Sequence, residues 1–454
     1  MLDTKTCQLA RLSRDARFDG QFFTGVKTTG IFCRCICPAT PPKESNVDYY
    51  PTAIAAAKAG FRPCLRCRPD SAPHSPAWNG VGATVERAMR LIHQGALESG
   101  SLAKLADDLG ISDRYLRQVF NQHVGVSPKK YALYQQCLFA KQLLHQTQLP
   151  VTEVALASGF NSVRRFNDCL LKQLHLNPTQ IRKNQKAETD NLQLKLAYRP
   201  PYDWQSMQQF LSHRVIAGLE WIDANSYGRT FEFNQAQGQF TAHHIADKNR
   251  FNVDIEIDDL SQLKNVVNNI RRVLDLDVDI LAVENHLSTH FASQLTIHSG
   301  LRLPGTWSLF EAGIRAILGQ QISVTAAMNL VTTLVDQLGE SQNGHKLFPT
   351  AKAIANSSLD FFKMPGSRKQ TLKNLAHFVM SEENNDDPND WLALKGIGPW
   401  TVDYAKMRGL SDPDIFLGGD LGVQKAMANE KNQLSPDQAK PWRSYLTFQL
   451  WSQL

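Results

Sequence analysis

The stretch LALKGIGPWTVDY, residues 392–404, sets Gly396 and Gly398 in a tight Gly-x-Gly turn between two helical patterns. Glycine lacks the Cβ that keeps a backbone at a distance, so amide N–H groups of such a turn can approach an anion closely. Taken alone, the pattern fits equally a helix-turn-helix whose glycine serves packing. Twenty residues beyond Trp400, DPDIFLGGDLGVQKA (412–426) adds a carboxylate, Asp420. A side chain there can cap a helix or take part in chemistry.

Upstream, WSLFEAGIRAILGQQISVTAAMNLVTTLVDQL (307–338) spaces its apolar residues by three and four, a helical period. Before it, in residues 192–282, the period changes. RTFEFNQAQGQFTAHHI (229–245) and RFNVDIEIDDL (250–260) alternate apolar and polar residues, as strands of an antiparallel sheet do. Helical spacing returns in residues 80–185, in VERAMRLIHQGAL, SLAKLADDLG and KKYALYQQCLFAKQLL. PDSAPHSPAW (69–78) and the polar RKNQKAETDN (182–191) read as connections, and a weaker change of pattern lies at 283–300.

SLAKLADDLGISDRYLRQVFNQHVG (101–125) has the grammar of a helix-turn-helix: Ser101 as cap, Gly110 in the turn, Ser112 as second cap, then Arg114 and Arg117. VTEVALASGFNSVRRFNDCLLKQLHLNPTQIRK (151–183) repeats it, with Gly159 at the turn, Asn161 or Ser162 as cap, and Arg164 and Arg165 on the second helix. One copy alone could be a plain helical bundle. Two copies joined by a long helix imply two recognition helices on DNA, although the sequence cannot sort phosphate from base contacts.

Nearer the N-terminus, TTGIFCRCICPAT (28–40) and GFRPCLRCRPD (60–70) carry Cys33, Cys37, Cys64 and Cys67, with residues 38–63 between the two pairs. Four thiolates in short paired spacings suit tetrahedral Zn²⁺. The plain reading of such a site is structural, holding together a domain with little core. Cys35 is an additional thiol between the first two ligands.

Composition agrees with a folded chain of several parts. Its 454 residues, 42% hydrophobic and 20% charged, exclude a mainly disordered protein and correspond to about three domains by length. Eight cysteines are too few for a disulfide scaffold. No apolar leader opens MLDTKTCQLARLSRDARFDG and no 18-residue apolar run occurs, so a soluble, cytoplasmic protein without a membrane partner is expected. The net charge of +6 is an average of unlike parts. Residues 1–190 hold 25 Lys+Arg against 15 Asp+Glu, and residues 191–454 hold 24 against 28. General affinity for DNA is therefore expected in the first part.

These motifs resemble known families. FDGQFFTGVKTTGIFCRCICPA (18–39), with GFRPCLRCRPD behind it, resembles the N-terminal zinc domain of the Ada proteins. The resemblance implies that Zn²⁺ is held by all four cysteines and that Cys33 accepts a methyl group from a methylated DNA phosphotriester. The duplicated helical unit that follows resembles the AraC-type regulators. That implies promoter DNA and RNA polymerase as partners and Arg114, Arg117, Arg164 and Arg165 as DNA contacts.

From LKLAYRPPYDW (194–204) through GLRLPGTWSLFEAGIRAILGQQISVTAA (300–327) to the opening motif, the chain resembles the helix-hairpin-helix DNA glycosylases of the AlkA 3-methyladenine type. Carried over, Asp420 is the catalytic carboxylate, Trp400, Tyr404 and Trp451 line the base pocket, and Lys395, Gly396 and Gly398 form the DNA-binding hairpin. Trp400 stands where base-removing enzymes that also cut the backbone have a Schiff-base lysine, which implies a monofunctional enzyme. The family's apolar wedge falls here at Gln321. The Pro-Cys-His-Arg motif of a second methyl acceptor is missing, so O6-alkylguanine repair is not expected.

The expected architecture is multidomain α+β: a small zinc domain (1–76), an all-α double helix-turn-helix domain (80–185), an antiparallel-sheet α+β domain (192–283) and an all-α helix-hairpin-helix glycosylase domain (284–454). Two functions follow from it. One is an alkylation-response protein joining methyl sensing, regulation and base removal on alkylated double-stranded DNA. The other is a transcriptional regulator whose C-terminal half binds DNA without catalysis.

Overall fold

The computed structural model describes residues 2–15, 18–37, 39–64, 67, 69, 83–93, 95–98, 100–182, 192–381, 387–428 and 434–453. Apart from Pro69 and Arg182, the two expected connections at 69–78 and 182–191 lie outside these residues. The chain forms two compact units: residues 1–194 with 259–268, and residues 195–258 with 269–454. Among the described residues, no helix is long and apolar enough to cross a membrane.

The first unit begins with α1 (Thr4–Ser13), β1 (Phe23–Val26), β2 (Ile31–Arg34), β3 (Val47–Tyr50), α2 (Ala53–Lys58) and β4 (Arg62–Pro63). Its sheet runs β3-β1-β2-β4. The β2–β4 pair is parallel, Ile31 opposite Arg62 and Phe32 opposite Pro63. That pairing closes the long interval between the two cysteine pairs. Phe23, Phe32, Ala53, Ala56 and Phe61 pack as a small core beneath it.

Among the described residues there follow the helices α3 (Ala83–His93), α4 (Leu102–Asp108), α5 (Asp113–Val124), α6 (Pro128–Gln146), α7 (Val151–Ala157), α8 (Val163–Leu174) and α9 (Pro178–Arg182). Ser101, Ser112, Ser127 and Ser162 cap α4, α5, α6 and α8 through their side-chain oxygens, each cap worth about 1 kcal/mol. Ser162, not Asn161, is thus the cap of the second copy. Gly159 turns at φ +78°, and a Cβ there would meet Gln136 Nε2 at 2.7 Å, so this corner accepts only glycine without strain.

The second unit contains β5 (Gln193–Ala197), α10 (Trp204–Ser212), β6 (Glu220–Ile222), β7 (Ser226–Phe233), β8 (Ala236–Ile245) and β9 (Arg250–Ile257), in the order β5-β9-β8-β7-β6. The β7–β8 hairpin turns on Asn234 and Gln235, both at positive φ (49° and 71°), which matches the twist of two-residue hairpins. Helix α11 (Leu263–Val273) follows the sheet, and α12 (Ile280–Phe291) runs across the weak pattern change at 283. Then come α13 (Leu309–Gly319), α14 (Val324–Leu338), a short hairpin of β10 (Ser341–Gln342) and β11 (His345–Lys346), α15 (Ala351–Asn356), α16 (Gly366–Met380), α17 (Pro399–Gly409), α18 (Leu421–Ala428) and α19 (Arg443–Trp451). Ile314, Ile317, Leu334, Leu372, Leu375 and Trp391 centre the helical core.

A buried ion network joins the sheet to these helices. Arg229 and Glu311, each 1% exposed, pair through two hydrogen bonds of 2.8 and 3.1 Å. Arg315 donates to Glu311 at 2.9 Å, to Glu220 at 2.9 Å and to the Arg214 carbonyl at 3.1 Å. Burial alone would raise the Glu311 carboxyl, but Arg229 and then Arg315 hold it down to about 2. A carboxyl lowered on folding stabilises the fold above its unfolded pKa. This contribution is present at neutral pH and is lost as pH falls from about 4.5 toward 2. Glu311→Ala is expected to cost about 3–5 kcal/mol, because it leaves two buried cations, Arg229 and Arg315, to share the single carboxylate of Glu220. Urea unfolding at pH 7 checks this, and an unshifted midpoint would mean that the network is energetically neutral.

Candidate functional site

Helix α17 supplies one wall of a recess in the second unit. Its first residues follow the glycine turn, where Gly396 stands at φ +95° and a Cβ would lie 2.0 Å from Thr371 Oγ1. The Thr371 hydroxyl donates toward the carbonyl of Lys395 at 3.2 Å. Gln320 Nε2 donates to the Gly396 carbonyl and to Thr401 Oγ1, both at 3.1 Å, while Arg368 donates to the Gln320 carbonyl at 2.9 Å. These bonds tie the loop bearing Gln321, exposed and at φ +60°, to the hairpin. Ile397 is buried and anchors the turn, whereas Lys395 is exposed. Gly398 precedes α17 with no side-chain cap; Pro399 has no N–H, and the Thr401 and Val402 N–H groups donate to the Gly398 carbonyl at 3.0 and 3.3 Å.

Trp400 and Tyr404, one helical turn apart, stack at 5.3 Å with 26° between their planes. Gly419 adjoins Trp400, since a Cβ on it would lie 4.0 Å from Trp400 Cδ1. The next residue, Asp420, is half-buried. Its Oδ1 accepts the backbone N–H groups of Gly422 (2.9 Å) and Val423 (3.2 Å) and the indole N–H of Trp451 (2.9 Å). Asp420 therefore caps α18 with one oxygen. Oδ2 has no hydrogen-bond partner among the described residues.

Four residues of this recess are invisible to the motif reading. Phe210 of α10 stacks with Trp451 at 6.3 Å and contacts Phe448 at 5.2 Å. The Arg214 guanidinium lies 3.8 Å above the Phe210 ring, and that of Arg408 lies 4.7 Å from it. Arg408 also donates to the Tyr404 hydroxyl at 3.2 Å. Burial lowers Arg214 to about 10, reinforced by the charges of Arg408 and Arg315 and opposed by that of Asp420. Phe210 lies on α10 and Arg214 in the turn just after it, four residues on, the local signal they leave. Phe210, Trp400, Tyr404 and Trp451 are all half-buried.

Arg114 and Arg117 lie exposed on α5, and Arg164 and Arg165 lie exposed on α8. Both helices pack against α6, which joins the two copies. Arg117 pairs with Asp113 one turn away at 3.4 Å, both exposed, an ion pair of little energetic weight.

The four cysteine sulfurs Cys33, Cys37, Cys64 and Cys67 lie within 4.8 Å of one another. Sulfurs bound to tetrahedral zinc stand about 3.8 Å apart, from Zn–S bonds of about 2.3 Å, so this all-thiol cluster fits Zn²⁺. Strand β2 supplies Cys33, a turn closed by Cys37 N–H to the Arg34 carbonyl (3.2 Å) supplies Cys37, and β4 delivers Cys64. The Cys64 N–H completes the parallel ladder at Phe32 O, 2.9 Å.

Arg34 braces the cluster from outside. Its backbone N–H donates to Cys67 Sγ at 3.4 Å, its NH1 to the Cys67 carbonyl at 3.3 Å, and its guanidinium pairs with buried Asp19. Thiol-to-thiol hydrogen bonds, from Cys33 first, lower Cys37 to about 7 and lower Cys64, while Cys33 and Cys67 are raised. Zn²⁺ is the metal of this cluster. Cys35 belongs elsewhere: it packs with Cys7, Ala10 and Phe22, and its thiol donates to the Asp15 carbonyl at 3.4 Å.

Three family models match parts of the chain. Residues 6–70 match the metal binding domain of Ada, residues 105–184 a helix-turn-helix domain, and residues 193–308 the AlkA N-terminal domain. A protein of Mycobacterium tuberculosis named probable bifunctional transcriptional activator/DNA repair enzyme AlkA is 34% identical, covering 100% of this chain and 97% of its own length. DNA-3-methyladenine glycosylase 2 of Escherichia coli is 27% identical over 56% of this chain and 95% of itself. The bifunctional transcriptional activator/DNA repair enzyme Ada of Escherichia coli is 38% identical over 33% of this chain and 40% of itself.

Proposed function

This chain belongs to the family of bifunctional transcriptional activator/DNA repair enzymes of the AlkA type, and from that premise we propose that it removes alkylated bases, senses methylated DNA and regulates transcription. The observation that carries the first activity is the Asp420 carboxylate held by three donors through Oδ1, one of them Trp451, near the half-buried rings of Trp400 and Tyr404.

Breaking an N-glycosidic bond develops positive charge on the sugar. The charge of Asp420 stabilises it, with Oδ2 turned to the substrate and Oδ1 kept in place by the α18 N-terminus and Trp451. Trp400, Tyr404 and Trp451 hold the flipped base by its faces, each cation–π contact contributing about 0.5–2 kcal/mol for a cationic alkylated purine. Arg214 and Arg408 oppose a cation but offer donors to carbonyl-bearing bases, so ring stacking supplies most of the attraction and selectivity is loose. Lys395, Gly396 and Gly398 receive a phosphate, and Gln321 enters the duplex at the vacated position. With Trp400 in place of a Schiff-base lysine, the chain removes the base without cutting the backbone.

In the N-terminal part, Zn²⁺ when bound keeps its sulfurs as thiolates. Cys33, half-buried where Cys64 and Cys67 are buried, attacks the methyl carbon of a methylphosphotriester. An S–C bond forms, the C–O bond breaks, and the phosphodiester leaves with the electron pair. The thioether is stable, so each chain reacts once. Loss of one negative charge at sulfur then favours DNA binding through Arg114, Arg117, Arg164 and Arg165, with RNA polymerase as the further partner. The four segments thus act in the order sensor, regulator, strand part and glycosylase.

A release assay across alkylated and deaminated bases in duplex DNA tests the first activity; no release from any of them would leave a DNA-binding regulator. For the second, mass spectrometry after exposure to methylphosphotriester DNA is expected to find one added CH₂ on Cys33 and none in Cys33→Ser. An unmodified Cys33 would reduce the cluster to a structural one.

A further inference from the structure

Arg214 and Arg408 carry charge in the recess of the second unit without a counterion. Arg229 and Arg315, buried in the same unit, are paired with Glu220 and Glu311. Arg408, 3% exposed, donates from Nε to the Pro304 carbonyl and from NH1 to the Tyr404 hydroxyl at 3.2 Å. Arg214, half-buried, donates from NH1 to the Phe210 carbonyl at 3.3 Å. Neither pairs with a carboxylate among the described residues, and Nε and NH2 of Arg214 and NH2 of Arg408 have no partner there. None of these nitrogens is sealed from solvent. A buried guanidinium is costly when its charge and its N–H groups go unmet, so these donors mark a place where a ligand supplies the acceptor.

Their surroundings narrow the ligand. Both guanidinium groups lie on the Phe210 ring, 3.8 and 4.7 Å from its centre, and Arg408 lies 5.7 Å from the centre of the Tyr404 ring. Phe210 stacks with Trp451, whose indole N–H donates to Asp420. The stack of Phe210 and Trp451 thus has two cations against one ring and a carboxylate bonded to the other. Phosphates stay on the outside of a duplex, whereas a base turned out among these rings brings its edge to the donors. The acceptors on such an edge are carbonyl oxygens and ring nitrogens.

Building on the base-removal function of this recess, we propose that Arg214 and Arg408 are the residues that extend it to uncharged, carbonyl-bearing purines: they donate to the base carbonyl and stabilise the negative charge that such a base acquires as it leaves. A cationic alkylated base departs neutral and needs no such help. An uncharged base departs as an anion. The C1′–N bond breaks, its electron pair stays on the base nitrogen, and conjugation carries the charge to the carbonyl oxygen. Water supplies the hydroxyl that bonds to C1′, and its other proton ends on the base. Asp420 meets the positive charge growing on the sugar and the two guanidinium groups meet the negative charge growing on the base, so the fixed charges match the transition state better than the ground state. The exocyclic amino group of an adenine is a donor and finds no acceptor on either arginine.

Single-turnover release by the full-length, zinc-loaded protein from duplexes containing hypoxanthine, uncharged and with a carbonyl, or 3-methyladenine, cationic and without one, tests the assignment. In Arg214→Met, which keeps an unbranched chain to pack on Phe210, the ratio of hypoxanthine to 3-methyladenine release is expected to fall by about 10–100-fold, the loss that goes with one charge-assisted hydrogen bond. Because the readout is a ratio, a smaller folded fraction cancels from it. Arg408→Lys keeps the buried charge but loses the fork of donors, and its ratio is expected to fall in the same direction. Ratios unchanged in both variants would overturn the proposal, as would a wild type that releases 3-methyladenine and leaves hypoxanthine in place. A wild type that releases neither base would overturn the base-removal function itself, and this proposal with it.

Discussion

Asp420→Asn is expected to lower the single-turnover rate of base release by about 10²–10³-fold, the cost when about 3–4 kcal/mol of transition-state stabilisation is lost. The substitution is unusually clean here. Asn keeps a carbonyl oxygen where Oδ1 accepts from Gly422, Val423 and Trp451, so the cap of α18 and the placement of Trp451 persist. Only the negative charge and the unengaged oxygen change character. Binding of an abasic or alkylated duplex is therefore expected to stay within a few-fold of wild type, and thermal unfolding is expected to be unshifted. Equal release by both proteins would sink the catalytic role of Asp420 and favour the DNA-binding regulator.

Removing zinc has the other large effect. Structural zinc sites of four thiolates contribute on the order of 10–16 kcal/mol of apparent binding energy at neutral pH, because binding and local folding are one process. In this chain the cluster ties β2 to β4, a strand of only two residues, and the core beneath is a handful of side chains. Stripping the metal with a strong chelator, or substituting Cys64→Ser, is expected to open the first 70 residues to limited proteolysis. Base release, which belongs to the other unit, is expected to continue. Persistent protease resistance in the metal-free chain would show that the small core suffices alone.

The cysteine spacing and the duplicated helical grammar were readable without coordinates, because a tetrahedral ion and a capped turn each demand particular residues at short separations. Ser101, Ser112 and Gly159 do in the structure what their positions in the chain imply. Cys35 was not readable. Alternation along an extended chain would put it on the same side as Cys33, yet β2 ends at Arg34 and the turn that follows sends Cys35 into the core. For Asp420, cap and carboxylate looked like rival roles, whereas two oxygens allow both.

Local sequence settles what local chemistry constrains: which residues can bind zinc, where helices start, and that a glycine must stand at 396. The recess around Asp420 is of another kind. Phe210, Arg214, Arg408 and Phe448 reach it from α10 and the turn after it, α17 and α19, far apart in the chain, and Arg315 fixes the Arg214 carbonyl through a buried network rooted at Glu220 and Glu311. No spacing rule links such residues. Their meeting depends on how the apolar faces of the sheet and helices pack, a sum over many weak contacts that exists only in the folded chain.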